Sequence, residues 1–75
     1  AATIDTSDSL IWYNRGVALT QLEKYDDALS SYEKAIDVSP GYADAWYNKA
    51  ELLKHKGQDT EAETCFAKVK ELEEE

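Results

Sequence analysis

The sequence predicts an all-α protein, an α-solenoid of two helix-turn-helix hairpins. Three observations carry that expectation. Trp12-Tyr13-Asn14 recurs as Trp46-Tyr47-Asn48, an offset of 34 residues that also pairs Leu19 with Leu53, Ala28 with Ala62 and Lys34 with Lys68. A period of this size marks an array built from one supersecondary unit. Within each unit the apolar residues return at helical spacing, three to four apart. The single proline and three isolated glycines leave long uninterrupted segments between breaks.

The elements follow in order. Ile11, Trp12, Ala18, Leu19 and Leu22 form the first stripe, and Ala28, Leu29, Tyr32, Ala35 and Ile36 the second. In the second unit the stripes are Ala45, Trp46, Leu52 and Leu53, then Ala62, Phe66, Val69 and Leu72. Asp26 offers an N-cap for the second helix, Pro40-Gly41 stops it, and Gly57 suits a left-handed C′ position. Thr60 and Glu63 fit a capping box. The expected helices are 9–22, 26–38, 43–56 and 60–73, grouped into units 9–42 and 43–75. Small residues, Gly16/Ala50 and Ala28/Ala62, stand where the helices of a hairpin touch. Trp12/Trp46 and Tyr32/Phe66 fill the wider space beside them, which places both indoles in the core.

Residues 1–8 form a leader. The same offset run backwards aligns Ala1 with Ala35 and Ile4 with Val38, as though residues 1–5 ended an earlier second helix of a longer array. The carboxyl-terminal unit carries Glu63 and Lys70 where the first has Leu29 and Ile36, the polar outer face of a closing repeat. At the other end Ile11, Arg15 and Ala18 form an open face, through which the sequence predicts a homodimer.

Composition excludes several functions. Sixteen acidic against eight basic residues give a net charge of −8, which opposes binding to a nucleic-acid phosphate backbone. No apolar run approaches membrane-spanning length, and the amino end has no signal-peptide pattern. One cysteine, Cys65, and no Cys/His cluster leave neither a disulfide nor a zinc site and point to a cytoplasmic setting. The sole histidine, His55, sits beside lysines; with Glu51 one turn earlier it supplies at most two metal ligands. Cys65 lacks a base. No catalytic set, metal site or cofactor is expected, so the chain reads as non-enzymatic.

Trp-Tyr-Asn, a small residue, Leu, a second-helix Ala, an aromatic and a closing Pro together resemble the tetratricopeptide repeat. Unit one keeps Trp12, Gly16, Leu19, Tyr25, Ala28, Tyr32, Ala35 and Pro40. Unit two keeps Trp46, Ala50, Leu53, Gly57, Ala62 and Phe66, and departs with Asp59 opposite Tyr25, Val69 opposite Ala35 and glutamates opposite Pro40-Gly41. The resemblance implies a right-handed superhelix whose first helices line a concave groove for a partner peptide. On those helices the side away from the packing stripe presents Leu10, Tyr13, Asn14, Val17, Thr20 and Gln21, then Asp44, Tyr47, Asn48, Glu51, Lys54 and His55. The candidate groove residues are Tyr13, Asn14, Val17, Gln21, Tyr47, Asn48, Glu51, Lys54 and His55. Asn offers donor and acceptor to an extended backbone, and Tyr offers rigid amphipathic area. One subgroup of the family clamps the terminal carboxylate of chaperone tails. Asn48 matches its second-helix Asn, but Tyr13 and Val17 stand where its Lys and first Asn are needed, so that specificity is not expected. The expected function is a scaffold binding a protein or peptide, with no nucleic acid and no membrane. The alternative is self-association through the open repeat ends.

Overall fold

A computed structural model describes residues 7–74. Four helices follow one another: α1 (Ser7–Gln21), α2 (Tyr25–Val38), α3 (Ala43–His55) and α4 (Asp59–Glu74). No strand occurs among the described residues. α1 packs on α2 and α3 on α4 as two hairpins, and α2 packs on α3 to join them. The fold is therefore the all-helical pair of hairpins that the 34-residue period predicts. The reading of residues 1–5 as the end of an earlier helix lies outside the described residues, and Ser7 and Asp8 belong to α1.

The two hairpin turns close with the same pair of backbone bonds. After α1, the Glu23 N–H donates to the Thr20 carbonyl (3.0 Å) and the Lys24 N–H to the Leu19 carbonyl (2.9 Å). After α3, the Gly57 N–H donates to the Lys54 carbonyl (3.0 Å) and the Gln58 N–H to the Leu53 carbonyl (2.8 Å). This is a Schellman closure, which needs a left-handed C′ residue. Gly57 supplies it at φ 85°, whereas the first turn places Glu23 there at φ 63°.

Two capping expectations are corrected. Asp26 lies inside α2, whose N-cap is Lys24 and whose first bond runs from the Ala28 N–H to the Lys24 carbonyl (2.9 Å). Asp26 and Asp27 favour the positive end of the helix dipole instead. Thr60 likewise lies within α4. The Ala62 N–H bonds the Gln58 carbonyl (3.0 Å), and Thr60's own carbonyl accepts from the Thr64 hydroxyl (3.2 Å).

The core runs through the middle of the stack: Ala28, Leu29 and Tyr32 from α2, Ala50, Leu52 and Leu53 from α3, Ala62 and Cys65 from α4. Gly16 shows why small residues line the crossing. A Cβ there would lie 2.7–2.9 Å from three ring atoms of Tyr32, and that ring is buried and flanked by Tyr13. No side chain fits. Cys65 is a free thiol only 4% exposed, and burial raises its pKa.

The tryptophans are the main correction. Both indoles are half-buried rather than interior. Trp46 leans on the core with its Nε1–H donating to the Pro40 carbonyl (2.8 Å), which draws the ring toward the α2–α3 loop. An indole N–H needs a partner, and here the partner is loop backbone. Trp12 lies under the Arg15 guanidinium and the Lys34 ammonium, 5.7 and 5.9 Å from its ring centre. The stripe Ile11, Ala18 and Leu22 is exposed as well, because no described helix covers that side of α1.

Candidate peptide-binding groove

The first helices of the hairpins, α1 and α3, face each other across a cavity of about 390 Å³. Val17, Thr20 and Gln21 form one wall and Asn48, Glu51, Leu52 and His55 the other, with Tyr25 and Tyr32 of α2 between them. Helical spacing places these wall residues on one face of each helix.

Aromatic rings form one end of the groove. Tyr13 stacks on Tyr42 (centroids 5.3 Å apart, planes at 27°) and tilts against Tyr32 (5.8 Å). The Asn48 Nδ2 donates to the Tyr13 hydroxyl (2.9 Å), tying α3 to α1. The Thr20 hydroxyl donates to the Gly16 carbonyl (2.7 Å) and sits 3.5 Å from the Tyr32 hydroxyl. Burial raises the pKa of Tyr32 against the opposing Thr20 hydrogen bond, and raises that of Tyr42 with help from Tyr13 and Asp44. At the other end the His55 ring tilts against Tyr25 (4.6 Å), and Lys56 pairs with Asp26 beside it.

Electrostatically the lining is sparse. Glu51 is the one carboxylate of the wall, and no lysine or arginine lines this cavity. The neighbouring Glu51 carboxylate raises the pKa of the Tyr47 hydroxyl. The arrangement suits binding of neutral or cationic groups on an aromatic base. It holds no paired nucleophile and base, and no group of three metal-ligating side chains occurs among the described residues.

The sequence-derived residues divide. Val17, Gln21, Asn48, Glu51 and His55 come together in the cavity. Tyr13 is half-buried beside it, spent on Tyr32, Tyr42 and Asn48. Tyr47 is exposed with its ring edge on Phe66 (5.6 Å), and Lys54 lines a separate depression with Asp59, Glu63 and Phe66. Asn14 is exposed and borders none of these cavities. Tyr25, Tyr32 and Leu52 line the groove without having been singled out for it. For Tyr25 the available signal was its place at the hairpin turn, within reach of the next hairpin's first helix.

The four helices have clear relatives. Two tetratricopeptide repeat models match, at residues 9–42 and 31–64. An uncharacterized protein of Methanocaldococcus jannaschii is 40% identical over 55 residues, which cover 73% of this chain and 64% of the relative. The DnaJ protein P58IPK homolog A of Oryza sativa subsp. japonica is 30% identical across 88% of this chain. The STIP1 homolog of Dictyostelium discoideum is 32% identical across 84% of it. The chain spans only 14% and 11% of those two longer proteins. Among solved structures, MamA superposes with a TM-score of 0.87 at 30% identity, over 88% of this chain and 39% of MamA. Periodicity, hairpin geometry and these matches agree, and the chain belongs to the tetratricopeptide repeat family.

Proposed function

We propose that the groove between α1 and α3 binds an extended segment of a partner protein. Membership of the family supports the general role, a protein–protein interaction scaffold. The observation that carries the groove reading is the state of its amides. Asn48 is anchored through its Nδ2 to Tyr13, and its carbonyl oxygen accepts no bond among the described residues. Gln21 stands exposed on the facing wall with donor and acceptor both available. Two such groups across an aromatic base can hold a peptide backbone while Tyr25 and Tyr32 receive a side chain. Glu51 favours a neutral or basic residue there.

The role requires no cofactor and no catalysis. Among the described residues no helix is long and apolar enough to cross a membrane. A cytoplasmic setting accords with a single, buried, unbridged cysteine.

The test is selection of peptides from a random library, followed by chemical-shift mapping and titration. Bound peptides should shift Val17, Gln21, Asn48, Glu51 and His55. Gln21→Ala with Glu51→Ala should weaken binding about tenfold or more, from about 1 kcal/mol per lost hydrogen bond. Selected peptides that map elsewhere, or that ignore both substitutions, would overturn the groove.

A further inference from the structure

The charge in the groove has no counterion from the chain itself. Glu51 is the one carboxylate of the lining, and no lysine or arginine shares the cavity with it. The ion pairs among the described residues, Lys49 with Glu33 and Lys56 with Asp26, leave Glu51 out. Lys54, three residues further along α3, lines the separate depression with Asp59 and Glu63. The cations nearest in sequence are therefore engaged or turned elsewhere, and Glu51 stands exposed on the groove wall.

Hydrogen bonding biases the cavity the same way. The Thr20 hydroxyl spends its proton on the Gly16 carbonyl, which leaves its oxygen an acceptor. Asn48 spends its Nδ2 on Tyr13 and keeps its carbonyl oxygen. Acceptors thus stand on both walls, and a ligand that fits them must bring donors. Between the walls Tyr32 is a buried floor, 2% exposed, whereas the half-buried Tyr25 offers ring surface to the cavity. An exposed ion pair contributes little alone, so the ring and the extra acceptors decide which cation is held. An ammonium is a strongly hydrated point charge. A guanidinium is planar, stacks on an aromatic face and carries five N–H donors.

We infer that the groove is an arginine receptor, which seats one arginine side chain of the partner segment with its guanidinium against Glu51 and over Tyr25. This rests on the reading of the groove as a site for an extended segment, and adds the residue that the segment must carry. Gln21 and Asn48 hold the backbone, Glu51 and the Thr20 oxygen accept from the guanidinium, and Tyr25 supplies the platform. The net charge of −8 draws a basic segment from a distance without choosing where it lands. Glu51 makes that choice, as the carboxylate that shares a cavity with the rings.

The test uses the whole chain and the peptides selected from the random library, whose arginine is replaced by citrulline, a neutral group of the same shape, or by lysine. Citrulline should weaken binding about fivefold, and lysine should recover only part of that loss. Glu51→Gln, an exposed change that leaves packing alone, should weaken the arginine peptide about fivefold and bring it level with the citrulline peptide. Tyr25→Leu should weaken it about threefold and erase its advantage over lysine. Glu71→Gln, at an exposed acid of α4 outside the cavity, should change nothing. Peptides that shift Val17, Gln21 and Asn48 yet lack arginine, or bind equally well with citrulline or lysine, would overturn the arginine site and leave the groove standing. Peptides that map elsewhere would overturn both. An equal loss on Glu71→Gln would reduce the effect to attraction by the whole surface and overturn the site as well.

Discussion

Glu23 holds a backbone conformation that only glycine adopts without penalty. A non-glycine residue in the left-handed region costs roughly 1–2 kcal/mol, and Glu23 also sets a carboxylate against the negative end of the α1 dipole. The same turn in the second hairpin uses Gly57. Glu23→Gly should therefore stabilise the chain by about 0.5–1 kcal/mol after glycine's extra unfolded-state entropy is subtracted. A rise in the urea midpoint with an unchanged slope is the expected reading. Gly16 is the opposite case, required not by its φ but by the Tyr32 ring against its Cα. Gly57 could be placed from sequence because glycine after a helical stretch signals a C′ position. Glu23 could not, since nothing in a glutamate announces positive φ.

The helices are held by different means on their two sides. Inside each hairpin the contact is close and apolar, with Ala28, Ala50 and Ala62 buried at the crossings. Across the groove α1 and α3 meet through polar and aromatic contacts, the bond from Asn48 to the Tyr13 hydroxyl chief among them. A buried Ser9–Ser39 hydroxyl bond (2.6 Å) adds a tie from the start of α1 to the α2–α3 loop. Tyr13→Phe and Asn48→Ala, singly and together, should yield a coupling energy of about 0.5–1.5 kcal/mol in a double-mutant cycle. A value near zero would mean the hairpins keep their angle without that bond. The helical period located all four elements, but their first turns needed coordinates. Asp26 and Thr60 are capping residue types that here lie inside their helices, Asp26 in an ion pair and Thr60 with its backbone carbonyl accepting from the Thr64 hydroxyl.

As a whole the molecule measures 40 × 24 × 14 Å, and its accessible surface of 5110 Å² exceeds the roughly 4,600 Å² expected of a compact chain of this mass. Two stacked hairpins leave the groove and the α1 face open. Its stability should fall in alkali. Tyr32 and Tyr42 have pKa values raised above 10.0, mainly by burial, while in the unfolded chain they ionise near the ordinary value of about 10. The unfolded state thus releases protons first as pH rises. The stabilisation is complete below about pH 10 and is lost as pH climbs through the native values. Urea midpoints should decline from pH 9.5 upward, and Tyr32→Phe should flatten that decline. A variant that tracks the parent at every pH would refute the assignment to Tyr32.

The helical class, the 34-residue period, the two-hairpin plan and the small residues at the crossings were legible in the amino-acid sequence. Each follows from spacing along one chain, which repeats whether or not the helices have met. The positions of the tryptophans and the set of side chains that share the cavity came from the packed helices alone. Those depend on what stands opposite. Trp46 turns to a loop carbonyl, Tyr13 is drawn to Asn48 thirty-five residues away, and Ile11 is exposed because no described helix covers it. A periodic pattern shows which face of a helix is apolar, and the neighbouring helix determines whether that face is covered.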